Sequence, residues 1–165
     1  MKKSRFLLFF VVCLVLPLAA AQAVLSFGWF SDKTNNKGQW LTEELLLLPA
    51  VAEKQHWRLA YLTAATSCDM RCEEAAYLQQ QVYQALGRKQ DYLALWQLGA
   101  ATAPAVAQQA LPAGAEAYSG QLVLVDRHGL GLLSYPVALE RELNVQTGKA
   151  ILADLNKLLK YERGL

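Results

Sequence analysis

Charge and histidine are scarce in these 165 residues. Asp, Glu, Lys and Arg together make up 18% of the chain, below the roughly 25% of ordinary soluble domains. Apolar residues reach 54%. That balance excludes a disordered chain, because there is ample apolar surface to bury. A single long uncharged run, rather than several, also excludes a multi-pass transporter. The formal net charge is +2, but Lys2, Lys3 and Arg5 precede the apolar run; without those three of the 16 basic residues, 13 stand against 14 acidic ones, a net of −1. No basic stripe with interleaved aromatics is left to track phosphates, so no nucleic-acid partner is expected. There is also no G-x-S-x-G, no phosphate-cradling glycine loop and no convincingly spaced carboxylate pair, and the chemistries that need them are not expected.

Residues 6–30 carry no charge. Roughly 20 apolar residues span a bilayer as a helix, and 6–25 has that length, interrupted by Pro17 and Gln22. Trp29 and Phe30 then fall where an interfacial aromatic belt would sit. The basic cluster predicts a cytoplasmic N-terminus, with everything after Ser31 on the outer side. A cleaved signal peptide is the alternative, because Ala21-Gln22-Ala23 has the small-x-small form of a cleavage site. The run continues through Val24, Leu25, Phe27, Trp29 and Phe30, longer than a usual signal core, which favours an uncleaved single-pass anchor. No small residues precede Cys13, so a lipoprotein signal is not expected. Both readings export the domain, and the anchored one places it in the periplasm at the inner membrane.

The organisation then expected is an anchor over 1–30, a tether and N-terminal extension over 31–56, and a domain over 57–165. The tether is polar and turn-rich over 31–38, and 40–48 reads as an edge strand or cover segment ending at Pro49. Residues 57–62 alternate as a strand with Trp57, Leu59 and Tyr61 on one face; 63–69 is a loop. Residues 72–86 read as a helix whose stripe is Ala75, Leu78, Val82 and Leu86, with Ala85. Glu73 and Glu74 suit its first turn and Gly87 its stop. A second strand is expected over 92–98, a short helix over 106–111, and a hairpin of 121–125 and 130–135 turning at Gly129. Thr147 is expected to cap a last helix with Ile151, Leu152, Leu155, Leu158 and Leu159 on one face. Strand, helix, strand, short helix, hairpin, helix is an α/β layout of thioredoxin-like type, a mixed sheet covered by helices behind one N-terminal transmembrane helix.

The exported part holds two cysteines, Cys68 and Cys72, in a C-x-x-x-C at the junction of the first strand and first helix. Backbone N–H groups at a helix N-terminus stabilise a thiolate, which is both nucleophile and metal ligand. The separation lets the two sulfurs meet as a disulfide or around one soft ion. Arg71 would help a thiolate; Asp69, Glu73 and Glu74 would oppose it. A static structural bridge is the bland alternative, but a loop this short gains little from closure. Cys68 and Cys72 are therefore the candidate catalytic and metal-ligating residues. His56 reads as a loop residue and His128 as a turn residue, so zinc is not expected. Two thiolates, with Met70 as a candidate thioether, suit Cu(I).

The single anchor, the Thr34-Asn35-Asn36-Lys37-Gly38 tether, the strand entering Cys68-x-x-x-Cys72 and the hairpin with Leu124-Val125-Asp126-x-x-Gly129 together resemble the Sco/SenC group. These are thioredoxin-fold proteins of cytochrome c oxidase assembly, and the likeness is closer to small membrane-anchored proteobacterial relatives of that group. It extends to the helix from Ala76-Tyr77-Leu78 to Leu86-Gly87 and to the Leu/Lys-rich C-terminal helix. The resemblance implies a partner, the oxidase subunit carrying CuA. It also implies a task, delivering Cu(I) to that centre or keeping its cysteines reduced, with Cys68 and Cys72 as the copper-binding or redox cysteines. Glu73 stands where the family has proline, and Ala117-Tyr118-Ser119-Gly120 where it has a histidine ligand. No proline precedes Gln121, where thioredoxins keep a cis-proline. A general exported thiol–disulfide oxidoreductase and a non-enzymatic scaffold are the alternatives.

Overall fold

In the segment Trp57–Leu62 all six side chains are buried, a pattern possible only for a strand covered on both faces. The computed structural model describes residues 2–26, 36–51, 57–99 and 107–162, in two compact units, Met1–Asn35 and Asn36–Leu165. The first unit is the helix α1, Lys2–Ser26, with Pro17 inside it. Among the described residues no helix is long and apolar enough to cross a membrane.

The second unit is built on a six-stranded mixed sheet: β1 (Gln39–Trp40), β2 (Trp57–Leu62), β3 (Leu93–Leu98), β4 (Ala107–Gln109), β5 (Gln121–Val125) and β6 (Gly131–Pro136), in the order β1-β6-β5-β2-β3-β4. Strand β2 runs parallel to β3 and antiparallel to β5, and β5 and β6 form the expected hairpin. The helices α2 (Met70–Ala85) and α3 (Arg141–Glu162) pack on one face. There Trp57, Leu59 and Tyr61 join Leu78, Val82, Ile151 and Leu155 in the larger core cluster. The α/β class and the mixed sheet thus match the sequence reading. Among the described residues of this unit, α-helices cover only this face, however. On the other, Ala60, Leu62, Val123 and Val125 are sealed by Leu47, Leu48 and the 3₁₀ turn Ala115–Tyr118.

Several boundaries differ from expectation, each for a tertiary reason. The segment 40–48 pairs as a strand only at β1; afterwards Leu46 bridges to Leu130, while Leu47 and Leu48 turn inward as cover. The helix expected over 106–111 is instead β4 in its described part. Trp96, Gln97 and Leu98 of β3 register with Ala107, Gln108 and Gln109, and this ladder overrides the helix preference of an Ala/Gln-rich run. A 3₁₀ turn over Gly87–Tyr92 absorbs Tyr92 before β3 begins. The last helix starts at Arg141, six residues ahead of Thr147. The Asn144 side chain accepts from Ala138 N–H and donates to Ala138 C=O, both at 2.9 Å, which settles the chain into α3. Thr147 is inside the helix, its hydroxyl donating to Leu143 O. In α2 the stripe runs through Gln79, buried beside Leu78 and Val82, while Ala85 is exposed. His56 lies outside the described residues.

Candidate functional site

The carboxyl ends of β2 and β3 and the start of β5 lie at one end of the sheet, because Leu62 registers with both Leu98 and Gln121. The loop leaving β2 is tied down there: Thr63 N–H donates to Leu98 O and Ala64 N–H to the Ser119 hydroxyl. Asp69 then caps α2. Its Oδ1 accepts from Cys72 N–H at 2.9 Å and its carbonyl accepts from Glu73 N–H, satisfying donors that a helix start otherwise leaves open. This cap brings Cys68 and Cys72 together across the first turn, where they form a disulfide with Cα atoms 5.2 Å apart.

The two sulfurs are not equivalent. Cys68 is half-buried on the loop, whereas Cys72 is 1% exposed and part of the larger core. Of the two, Cys68 is the one an incoming thiolate could reach, and Cys72 the one that would leave into the interior. Gln97, on β3, donates its Nε2–H toward Cys72 Sγ at 3.7 Å. Gln79, on α2, donates to the carbonyls of Leu59 and Trp96 at 2.8 and 2.9 Å and rivets the helix to the sheet.

Of the charges expected around the pair, Glu74 is engaged elsewhere. Arg141 donates to it at 2.8 Å, which holds the Glu74 carboxyl below its usual range, and the same guanidinium sits 4.5 Å from the Tyr77 ring centroid. Arg71 is exposed and lies along Gly120, so close that a Cβ there would meet its Nη1 at 3.1 Å. Tyr61, beneath the loop, is pushed above its ordinary pKa by burial and then by the charge of Asp69, with Arg71 opposing. Met70 opens α2 between the cysteines and is 67% exposed.

His128 sits in the β5–β6 turn, its N–H donating to Asp126 Oδ1. Since β5 starts at the cysteine end, this turn lies at the opposite end of the sheet, which separates His128 from the pair. Among the described residues no three His, Cys, Asp or Glu side chains cluster as a metal site would require. The two residues that sequence reasoning passed over at the site are Gln79 and Gln97. Both carried a signal: Gln79 falls four residues after Ala75 within the apolar stripe, and Gln97 shares the inward register of Leu93 and Leu95. Together these features define the class, a mixed α/β domain with a disulfide at a helix N-terminus, one cysteine half-buried and the other enclosed. No protein-family model, curated protein or solved structure matches the chain.

Proposed function

We propose that this chain is a membrane-tethered, periplasmic assembly factor of cytochrome c oxidase that keeps the thiols of the CuA site reduced through Cys68 and Cys72. The observation that carries the reading is the asymmetry of the pair: a reachable Cys68 and an enclosed Cys72 at the start of one helix. That is the arrangement thiol–disulfide exchange needs, since one sulfur must be attacked and the other must leave. The thioredoxin-like reading is supported by the order of strand, cysteine-bearing helix, parallel strand, antiparallel hairpin and final helix. The membrane reading is supported by eight large apolar side chains exposed between Phe9 and Leu18 of α1 and by the basic residues before them.

The test is a pair of single variants of the full chain in cells. Cys72→Ser leaves Cys68 free to hold a partner as a mixed disulfide and is expected to trap the CuA-bearing subunit. Cys68→Ser traps nothing, and both lower CuA occupancy. Unchanged oxidase copper in both variants defeats the proposal, and full function of the double serine variant favours a scaffold.

A second reading, delivery of Cu(I) to the same centre, is favoured by Met70, whose exposed thioether lies in sequence between the two sulfurs and would complete a soft donor set. Anaerobic Cu(I) competition on the reduced chain separates the two. One tightly held equivalent lost in the double serine variant supports carriage. Its absence leaves thiol reduction.

A further inference from the structure

Gln97 is an amide at a position built for an apolar residue. Along β3 it shares the inward face with Leu93 and Leu95, and it is 1% exposed. A buried amide is costly unless its polar atoms are engaged, and one N–H of this one is directed at Cys72 Sγ. A disulfide sulfur is a weak acceptor, whereas a thiolate is a strong one. The contact therefore gains most in the reduced protein, not in the oxidised state in which it is observed.

We infer that Gln97 is the positioning residue of the redox pair, the donor that receives the buried thiolate when the Cys68–Cys72 bond opens. This rests on the reading of the pair as redox-active. With an external dithiol as reductant, one of its thiolates attacks Cys68 Sγ. A bond forms between the two, the Cys68–Cys72 bond breaks, and its electron pair stays on Cys72 Sγ beside the Gln97 amide. The second thiolate of the dithiol then attacks its own neighbouring sulfur and expels Cys68 as a thiolate. The dithiol leaves as a disulfide, the pair has gained two electrons, and the two protons shed by the dithiol are available to Cys68 and Cys72. Run backwards, the same steps reduce a disulfide on a partner. In that direction Gln97 holds Cys72 as a thiolate ready to resolve the mixed disulfide. Water cannot perform this task at a sulfur that is 1% exposed.

The experiment is a thiol–disulfide equilibrium of the full chain in detergent against glutathione, beside the pH dependence of thiolate formation, for wild type, Gln97→Met and Gln97→Glu. Gln97→Met keeps the volume and removes the donor. It should shift the equilibrium toward the disulfide by about tenfold, the usual weight of a hydrogen bond to a charged group, and move thiolate formation to higher pH. Gln97→Glu sets a carboxylate against the thiolate and should move both readouts further the same way. A role limited to packing would lower stability in Gln97→Met and leave the pH profile in place. A reducible pair whose equilibrium and pH profile are unchanged in both folded variants overturns the inference alone. A wild-type pair that neither glutathione nor a dithiol reduces overturns the redox reading as well. The oxidase partner enters neither measurement, so failure of the CuA assignment is seen separately, in the trapping experiment.

Discussion

At the scale of single residues, the most consequential polar group away from the cysteines is Asp154 on α3. It is 1% exposed, and its carboxylate accepts from Lys37 N–H at 2.8 and 3.0 Å, from Gly38 N–H at 2.8 Å and from the Tyr135 hydroxyl at 3.0 Å. A buried charge is tolerable only with such a set of donors. The cluster pins the first described residues of the second unit to its last helix. Gly38 is required for this closeness, because a Cβ there would lie 2.6 Å from the Tyr135 ring. Burial first, and then the adjacent Asp154 charge, push the Tyr135 phenol well above its ordinary pKa; Tyr61 is raised by burial too. The sign for stability follows. Below the ordinary tyrosine value near 10 both states hold these protons and nothing is lost. Above it the unfolded chain releases protons that the folded chain retains, so stability falls as pH rises, by up to about 1.4 kcal/mol per pH unit for each tyrosine. Tyr135→Phe should flatten that alkaline limb by about one proton's worth, read as the slope of urea-unfolding free energy between pH 9.5 and 11. An unchanged slope would show that Tyr135 ionises as freely when folded.

At the scale of elements, the β5–β6 hairpin and the cover segment depend on each other through Gly129. Its carbonyl accepts from Leu47 N–H at 2.8 Å and from Leu48 N–H at 3.3 Å, and its φ is +92°. A Cβ there would overlap the Leu48 carbonyl oxygen. Gly87, the stop of α2, also has positive φ, +55°, but has open space around it. The two positions separate backbone strain from collision. Gly87→Ala should cost about 1 kcal/mol, and Gly129→Ala about 3 kcal/mol or more because strain and overlap add. Urea midpoints of the two variants check this, and equal losses would mean that the cover segment yields. Arg58 joins the same parts from beneath. It is buried on β2 and donates to the carbonyls of Pro49 and Asp126, at the cost of a lowered pKa from desolvation.

At the scale of the whole molecule, the stability of the second unit rests on the two core clusters on either face of the sheet, with the disulfide a small contributor. A bridge between residues four apart removes little freedom from the unfolded chain, about 2 kcal/mol on the loop-entropy account. The reduced chain should therefore still unfold in one cooperative step, with a loss of no more than about that amount on adding a dithiol. Chemical unfolding monitored by tryptophan fluorescence, with and without reductant, decides it. Collapse of the fold on reduction would make the bridge a structural staple and weaken the redox reading.

What the sequence determined by itself is what segments encode internally. Strand β2 follows from the alternation that puts Trp57, Leu59 and Tyr61 on one face, and β5 and β6 from the apolar runs on either side of the turn at Gly129. Helix α2 follows from Glu73 and Glu74 near its start, the stripe of Ala75, Leu78 and Val82, and the stop at Gly87. The cysteine pair falls at their junction by chain order alone. None of these needs a distant partner to be recognised. Tertiary structure decided the features whose cause lies elsewhere in the chain: β4 formed because β3 offered it a ladder, and α3 started early because Asn144 met Ala138. Asp154 found two of its donors, Lys37 and Gly38, more than 100 residues away. The inequality of Cys68 and Cys72, and the amide of Gln97 beneath Cys72, belong to that second group. Alternation put Gln97 on the inner face, but only the packing of α2 over β3 brought the sulfur to it.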